Sequence, residues 1–190
     1  MAFTNFETRE IHFKILYTGP HGAGKTENLR TLLRSTLPQP RHIKFAAPNR
    51  YPLCFEFLPL TLGQIEDFSL HIHLFAVPPA VPFPTVAETL YHGVDGFVFV
   101  ADSRFPCMVE NLRVWQEVTQ RFTALGVSMA DFPHLIQYNK RDAQDCLPLE
   151  TLQQALNTQE SPYCETIATQ SVGVADTLVQ ITKRVLEKVR

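Results

Sequence analysis

Eight residues, Gly19-Pro20-His21-Gly22-Ala23-Gly24-Lys25-Thr26, match the pattern G-x-x-x-x-G-K-[ST] and constrain the fold more than any other stretch of the chain. They lie between an apolar run, Ile11 to Thr18, that reads as a strand, and a helical pattern from about Lys25 to Arg34. In a strand–turn–helix setting the glycines let the backbone curl until successive N–H groups point inward at phosphate oxygens. The helix N-terminus then adds its partial positive charge. Gly19, His21, Gly22, Ala23 and Gly24 are therefore the expected phosphate cradle. Lys25 supplies a mobile cation for the β- and γ-phosphates, and the Thr26 hydroxyl is the expected protein ligand of Mg²⁺.

The remaining segments fit one α/β domain over residues 1–190. Leu53 to Leu58 and Leu70 to Val77 read as strands of an antiparallel hairpin whose loop contains Gly63. The runs GFVFVA (Gly96 to Ala101) and PHLIQY (Pro133 to Tyr138) read as strands buried on both faces of a mostly parallel sheet, separated by a helix around Met108 to Leu125. From Val174 to Val189 apolar residues recur at i, i+3 and i+4, the pattern of a terminal helix packed on the sheet. Leu37 to Pro52 and Pro78 to Pro84 are rich in proline and read as irregular, and loops of that length in a compact domain are usually functional or disordered.

Composition excludes several classes. With 45% apolar and 19% charged residues the chain has too much to bury for disorder, and a net charge of −2 leaves no basic footprint for nucleic acid. Cys54, Cys107, Cys146 and Cys164 form no CxxC pair, which argues for reduced thiols and a cytoplasmic setting. No apolar stretch approaches a membrane span. The first residues lack signal-peptide character and no lipidation motif is present, so no direct membrane anchor is expected and any membrane contact would go through a partner.

The second chemical motif is Asn139-Lys140-Arg141-Asp142, at the C-terminal end of the strand PHLIQY, where open α/β sheets bind ligands. Asp142 can accept hydrogen bonds from the ring N–H and the exocyclic amine of guanine, a donor pair that adenine lacks. Asn139 can tie the base loop to the phosphate loop, and the aliphatic stem of Lys140 can cover one face of the base. Ala168, at the end of a sixth strand, is in place to give its backbone N–H to the guanine carbonyl. Together with the phosphate loop these residues point to bound GTP or GDP with Mg²⁺.

At this point the chain resembles the MglA-type small GTPases, bacterial relatives of Ras and Arf, over nearly its whole length. The resemblance is carried by Thr8-Arg9-Glu10-Ile11, the phosphate loop, Phe55-Glu56-Phe57-Leu58-Pro59-Leu60, and Val94-Asp95-Gly96 running into Val98 to Ser103. It continues through Gln137 to Asp142 and through Gly173-Val174 with Asp176-Thr177-Leu178. It implies a Ras-like P-loop NTPase fold with a central, mostly parallel six-stranded sheet, one antiparallel strand and helices on both faces. It also implies GTP/GDP switching, a second strand that shifts between nucleotide states, a roadblock-type (MglB-like) activating partner, and roles in gliding motility and cell polarity, with recruitment to a cell pole by partners.

Departures from the family's pattern concern hydrolysis rather than binding. The family's switch I arginine and threonine correspond to Tyr51 and Pro52. Pro52 has neither a hydroxyl for Mg²⁺ nor an N–H for the γ-phosphate. Arg50 is one residue away, but no threonine occurs between Leu37 and Leu60. The family's switch II reads Val-Pro-Gly-Gln, where this chain has Val77-Pro78-Pro79-Ala80, and Ala76 stands where most P-loop GTPases place an acidic metal-organising residue. An arginine finger is worth roughly 10³–10⁵ in rate, so its loss together with the water-positioning group implies very slow turnover, a pseudo-GTPase with no catalytic residue of its own.

Other candidates read more plainly. His71 and His73 point to one face of a strand and read as solvent- or interface-facing rather than as a metal pair. Phe55, Phe57, Phe68 and Phe75 read as core or sheet-edge surface, and Trp115 as helix packing. Three functions compete: a GTP-binding scaffold that acts through protein contacts, a working GTPase whose activator supplies the missing groups in trans, and a nucleoside or small-molecule kinase. The kinase would need an arginine-bearing lid that the scattered arginines do not form.

Overall fold

The computed structural model describes residues 3–36, 43–46, 53–77 and 84–189. Its strands are β1 (Phe3–Asn5), β2 (Glu10–Thr18), β3 (Ile43–Ala46), β4 (Leu53–Ile65), β5 (Phe68–Ala76), β6 (Gly96–Asp102), β7 (His134–Asn139) and β8 (Tyr163–Thr166). The helices are α1 (Lys25–Ser35), α2 (Pro84–Tyr91), α3 (Met108–Ala124), α4 (Leu149–Leu156) and α5 (Val174–Val189).

One sheet runs in the order β3-β4-β5-β2-β6-β7-β8, with β1 paired to the start of β2. Strands β5, β2, β6, β7 and β8 are parallel to one another and β4 is antiparallel to β5. These six strands are the Ras-like sheet that the resemblance implies, in a mixed α/β architecture. Every residue of β6 and β7 is buried, which is why both read as unbroken apolar runs rather than alternating ones.

Helices cover both faces. On one, Leu29 and Leu32 of α1 and Val174, Leu178, Ile181 and Val185 of α5 pack on Phe13, Ile15 and Tyr17 of β2 and Ile72 and Leu74 of β5. On the other, Val114, Val118 and Phe122 of α3, Leu152 and Leu156 of α4 and Leu90 of α2 pack on Phe97, Phe99 and Ile136. Full burial of such side chains stabilises the fold by about 1.5–3 kcal/mol each. The sheet thereby holds the C-terminal ends of β2, β6 and β7 at one edge, where the loops carrying the chemical motifs emerge.

Several features differ from the sequence reading. Strand β3, antiparallel to β4, falls inside the proline-rich 37–52 segment, where the run Ile43-Lys44-Phe45-Ala46 is free of proline and so keeps its N–H groups for a ladder. The hairpin turns at Glu66-Asp67, with Glu66 at φ 54°, and not at Gly63. Gly63 lies within β4, at a register shift between Thr61 and Gln64 that interrupts the ladder without ending the strand. Helices α2 and α4 have no counterpart among the expected helices.

Candidate nucleotide-binding site

Strand β2 ends at Thr18 and the chain turns through glycines that no other residue replaces cheaply. Gly19 has φ 136°, and a Cβ there would lie 2.2 Å from the Val100 carbonyl oxygen. Gly24 has φ 109°, and a Cβ there would lie 2.1 Å from Asn139 Nδ2. The loop is thus pressed against both β6 and the end of β7, with Ala23 buried and His21 and Gly22 exposed at its tip.

Lys25 folds back over this loop, its ammonium donating to the Gly19 carbonyl at 2.8 Å and the Pro20 carbonyl at 2.6 Å. Burial lowers its pKa to about 8, because two neutral carbonyls solvate an ammonium less well than water does. Anionic oxygens in the loop would restore a stronger partner.

The next residue, Thr26, donates its hydroxyl to Glu56 Oε1 at 2.5 Å. Glu56 is 1% exposed and belongs to β4, where its Cα partner on β5 is Ala76, the position at which an acidic metal-organising residue is missing. A carboxylate therefore stands one strand away from the vacant place and touches the expected metal ligand. Its inward direction was legible from alternation, since Glu56, Leu58 and Leu60 share one face of β4. Thr26 and Glu56 are hard oxygen donors of the kind Mg²⁺ takes. Among the described residues no group of three or more His, Cys, Asp or Glu is arranged to hold a metal ion. The residues fit an ion that takes most of its other ligands from phosphates and water.

Asn139 joins the two motifs. Its Nδ2 donates to the Ala23 carbonyl at 2.8 Å, while its Oδ1 accepts from Thr166 Oγ1 and from the Ala168 N–H, each at 3.0 Å. The Ala168 N–H, expected at the guanine carbonyl, is in this structure donated inside the protein. Thr31 of α1 secures the same loop by donating to the Ala168 carbonyl at 2.9 Å. Lys140, at φ 65°, sends its ammonium to Asp102 Oδ2 at 2.7 Å. Arg104 grips the same carboxylate through Nε at 3.0 Å and Nη2 at 2.8 Å. Burial alone would raise the Asp102 carboxyl, but the bonds from Arg104 and Lys140 outweigh it and hold the pKa at about 2. Asp142 is exposed at the mouth, its Oδ2 3.4 Å from Gln170 Nε2.

These groups surround a cavity of about 290 Å³. Gly24 and Glu27 line it from the phosphate-loop side, Asn139, Lys140 and Asp142 from the β7 side, Ala168 and Thr169 from beyond β8, and Arg104 from beyond β6. Asn139, Lys140, Asp142 and Ala168, the residues expected around the base, thus all lie in its wall. Asp102, Glu27 and Glu56 are additions that spacing alone did not single out.

Arg50, Tyr51, Pro52, Pro78, Pro79 and Ala80 lie outside the described residues, as does the side chain of Phe55. Trp115 packs on Phe99, ring centroids 4.9 Å apart, and is a packing residue of α3. His71 and His73 face one side of β5, where His12 of β2 stacks on both at 4.9 and 5.2 Å and joins His73 by an Nδ1···Nε2 hydrogen bond of 3.0 Å. Glu10 borders this stack, 3.3 Å from His12 Nε2 and 3.6 Å from His71 Nε2. Phe57 covers His73, and Phe68 meets Phe6 edge-on. Cys107, Cys146 and Cys164 are free thiols, and among the described residues no helix is long and apolar enough to cross a membrane.

No protein-family model matches the chain. It is 36% identical over 192 residues to the Mutual gliding-motility protein MglA of Myxococcus xanthus (strain DK1622), a match covering 100% of this chain and 98% of the relative. A strand–glycine loop–helix feeding a lysine and a threonine into one end of a Ras-like sheet, an Asn-Lys-x-Asp loop bonded to it, and full-length similarity to MglA agree: the chain belongs to the MglA-type family of small Ras-like GTPases.

Proposed function

We propose that this chain is a cytoplasmic, guanine-nucleotide-binding regulator of the MglA type that holds GTP far longer than it hydrolyses it and acts through protein contacts. The observation that carries the nucleotide reading is the Asn139–Ala23 hydrogen bond, which fixes the base loop against the phosphate loop so that one ligand can engage both. Gly19 to Gly24 present backbone N–H groups to phosphate oxygens, and Lys25 leaves the Gly19 and Pro20 carbonyls for the β- and γ-phosphates. Thr26, oriented by Glu56, offers an oxygen lone pair to Mg²⁺, which when bound would neutralise phosphate charge. Asp142 accepts from the two guanine N–H donors, and Lys140, anchored on Asp102, lays its stem along the base.

Slow turnover rests on the residues themselves: Tyr51, Pro52, Pro79 and Ala80 supply no cation, no γ-phosphate N–H and no amide to hold water. Activity in gliding motility or cell polarity, at a pole reached through partners, and pairing with a roadblock-type protein follow from the family. The relative's own name speaks of gliding motility. A second reading, a working GTPase completed in trans, is favoured by Glu56, a carboxylate retained beside Thr26. Nucleotide competition tests the core of the proposal: GTP and GDP should displace a fluorescent guanine nucleotide at similar concentrations, and displacement by ATP at the same concentrations would overturn it. Stimulation of phosphate release at least about tenfold by a roadblock-type protein would favour the second reading.

A further inference from the structure

Among the described residues the cavity has, besides Asp142, one other acidic wall residue, Glu27, two positions past Lys25 in the first turn of α1. A carboxylate there is an unusual neighbour for phosphates, since it competes with them for the positive end of the helix. Two arginines of the same helix offset its charge. Arg30 Nη1 lies 3.4 Å from Glu27 Oε2, and Arg34 Nη1 lies 3.3 Å from Glu27 Oε1. These contacts are long and use only part of the carboxylate's acceptor capacity, about four lone-pair sites on two oxygens.

The position of Glu27 in the wall defines what it can meet. Phosphates belong to the loop ending at Thr26 and the base to Asn139, Lys140 and Asp142, so the sugar of a nucleotide spans the stretch of cavity between them. Its hydroxyls are O–H donors, and an ionised carboxylate accepts only. Resting on the guanine-nucleotide reading above, we propose that Glu27 is the sugar-reading residue of the site, accepting a hydrogen bond from the ribose 2′-hydroxyl and so selecting ribonucleotides over deoxyribonucleotides. The chemistry is that of the acidic residue that binds the ribose in dinucleotide-binding folds, placed here on the phosphate-binding helix itself. Arg30 and Arg34 act as positioning residues that keep the carboxylate's charge from repelling the phosphates.

The test is titration calorimetry of GTP and 2′-deoxy-GTP against the wild type, Glu27→Gln and Glu27→Ala. The wild type should bind GTP about tenfold or more tighter than the deoxynucleotide, the worth of one hydrogen bond to a charged acceptor. Glu27→Ala should bring the two affinities within about twofold by weakening GTP alone, and Glu27→Gln should fall between. Retained deoxy-GTP binding by Glu27→Ala shows that its fold and site survive; should that variant bind neither nucleotide, the ratio in Glu27→Gln decides. Equal binding of both nucleotides by the wild type, or a preference that persists unchanged in the variants, overturns the proposal. A wild type that binds no guanine nucleotide at all sinks the functional reading and the sugar contact together.

Discussion

The side-chain amide of Asn139 donates to the main-chain carbonyl of Ala23 across 2.8 Å, joining the end of β7 to the loop between β2 and α1. With its oxygen also accepting from Thr166 and Ala168, one buried side chain holds three segments that are far apart in sequence. Asn139→Ala strands the Ala23 carbonyl and two donors at once. Each buried group left unsatisfied costs about 1–3 kcal/mol, so a loss of about 2–4 kcal/mol is expected in urea unfolding. GTP affinity should fall by at least about tenfold, because the base and phosphate subsites lose their common reference.

Gly24 lies against the same amide. A methyl group there meets Asn139 Nδ2 at 2.1 Å in a backbone conformation, φ 109°, that disfavours any side chain. Gly24→Ala should destabilise the protein by about 1–3 kcal/mol and abolish detectable nucleotide binding, read by the same unfolding and calorimetric measurements. Gly22→Ala has open space around its Cβ and provides the contrast: strain from φ 72° without the collision, and a smaller effect.

Base selection is expected to reside in Asp142. Asp142→Asn exchanges one acceptor for an amide donor, which suits the C2 carbonyl of xanthine and not the exocyclic amine of guanine. Affinity for GTP should fall about tenfold or more while affinity for xanthosine triphosphate rises, measured by competition. An unchanged order would place base recognition elsewhere.

The Thr26–Glu56 contact makes a separate claim about Mg²⁺. Thr26→Val keeps the volume and removes the ligand, so the ratio of GTP affinities with Mg²⁺ and with chelator should drop by about tenfold. Glu56→Gln keeps the shape but accepts a hydroxyl proton less strongly, and its ratio should lie between the wild type and Thr26→Val.

The pH dependence of stability has a definite sign. Burial lowers the pKa of His73, helped by the neighbouring charges of His12 and His71, and burial likewise lowers that of His134, which hydrogen-bonds Phe132 O at 2.8 Å and Ser161 Oγ at 2.7 Å. Both imidazoles are harder to protonate in the fold than in the unfolded chain, so the unfolded chain binds more protons as the pH drops through the ordinary histidine value of 6.5. Stability contributed by these groups is present above that value and is lost as pH falls toward the lowered ones. The groups around His73 are His12 and Lys14 of β2, His71 of β5 and Phe57 of β4, with Glu10 reaching His12 and His71 rather than His73 itself. Melting temperature should fall between pH 7 and pH 5, and His73→Phe should flatten part of that slope while His134→Phe flattens another part.

How much of this was legible beforehand follows from where each constraint lives. The phosphate loop and the Asn139–Asp142 motif were readable because their chemistry fixes residue types at fixed offsets between a strand and a helix. The six-stranded core was readable because β6 and β7, buried on both faces, leave continuous apolar runs. Strand β3 was hidden by the prolines on either side of it, and the hairpin turn by Gly63, whose permissive backbone serves a register shift as readily as a turn. The histidine stack depends on His12 standing opposite His71 across the β2–β5 pair, a register that neither strand's own sequence specifies. Glu56 lay between, since its inward direction follows from alternation but its meeting with Thr26 needs the fold.

The most direct test of the account is to incubate the purified protein overnight with excess GTP and Mg²⁺, remove free nucleotide, and identify by chromatography what remains bound while phosphate release is followed in parallel. Intact GTP retained at close to one per chain, with phosphate release near background, is the expected result. Conversion to GDP would contradict slow turnover and show that the chain places water by another route, and the absence of any bound guanine nucleotide would contradict the central claim.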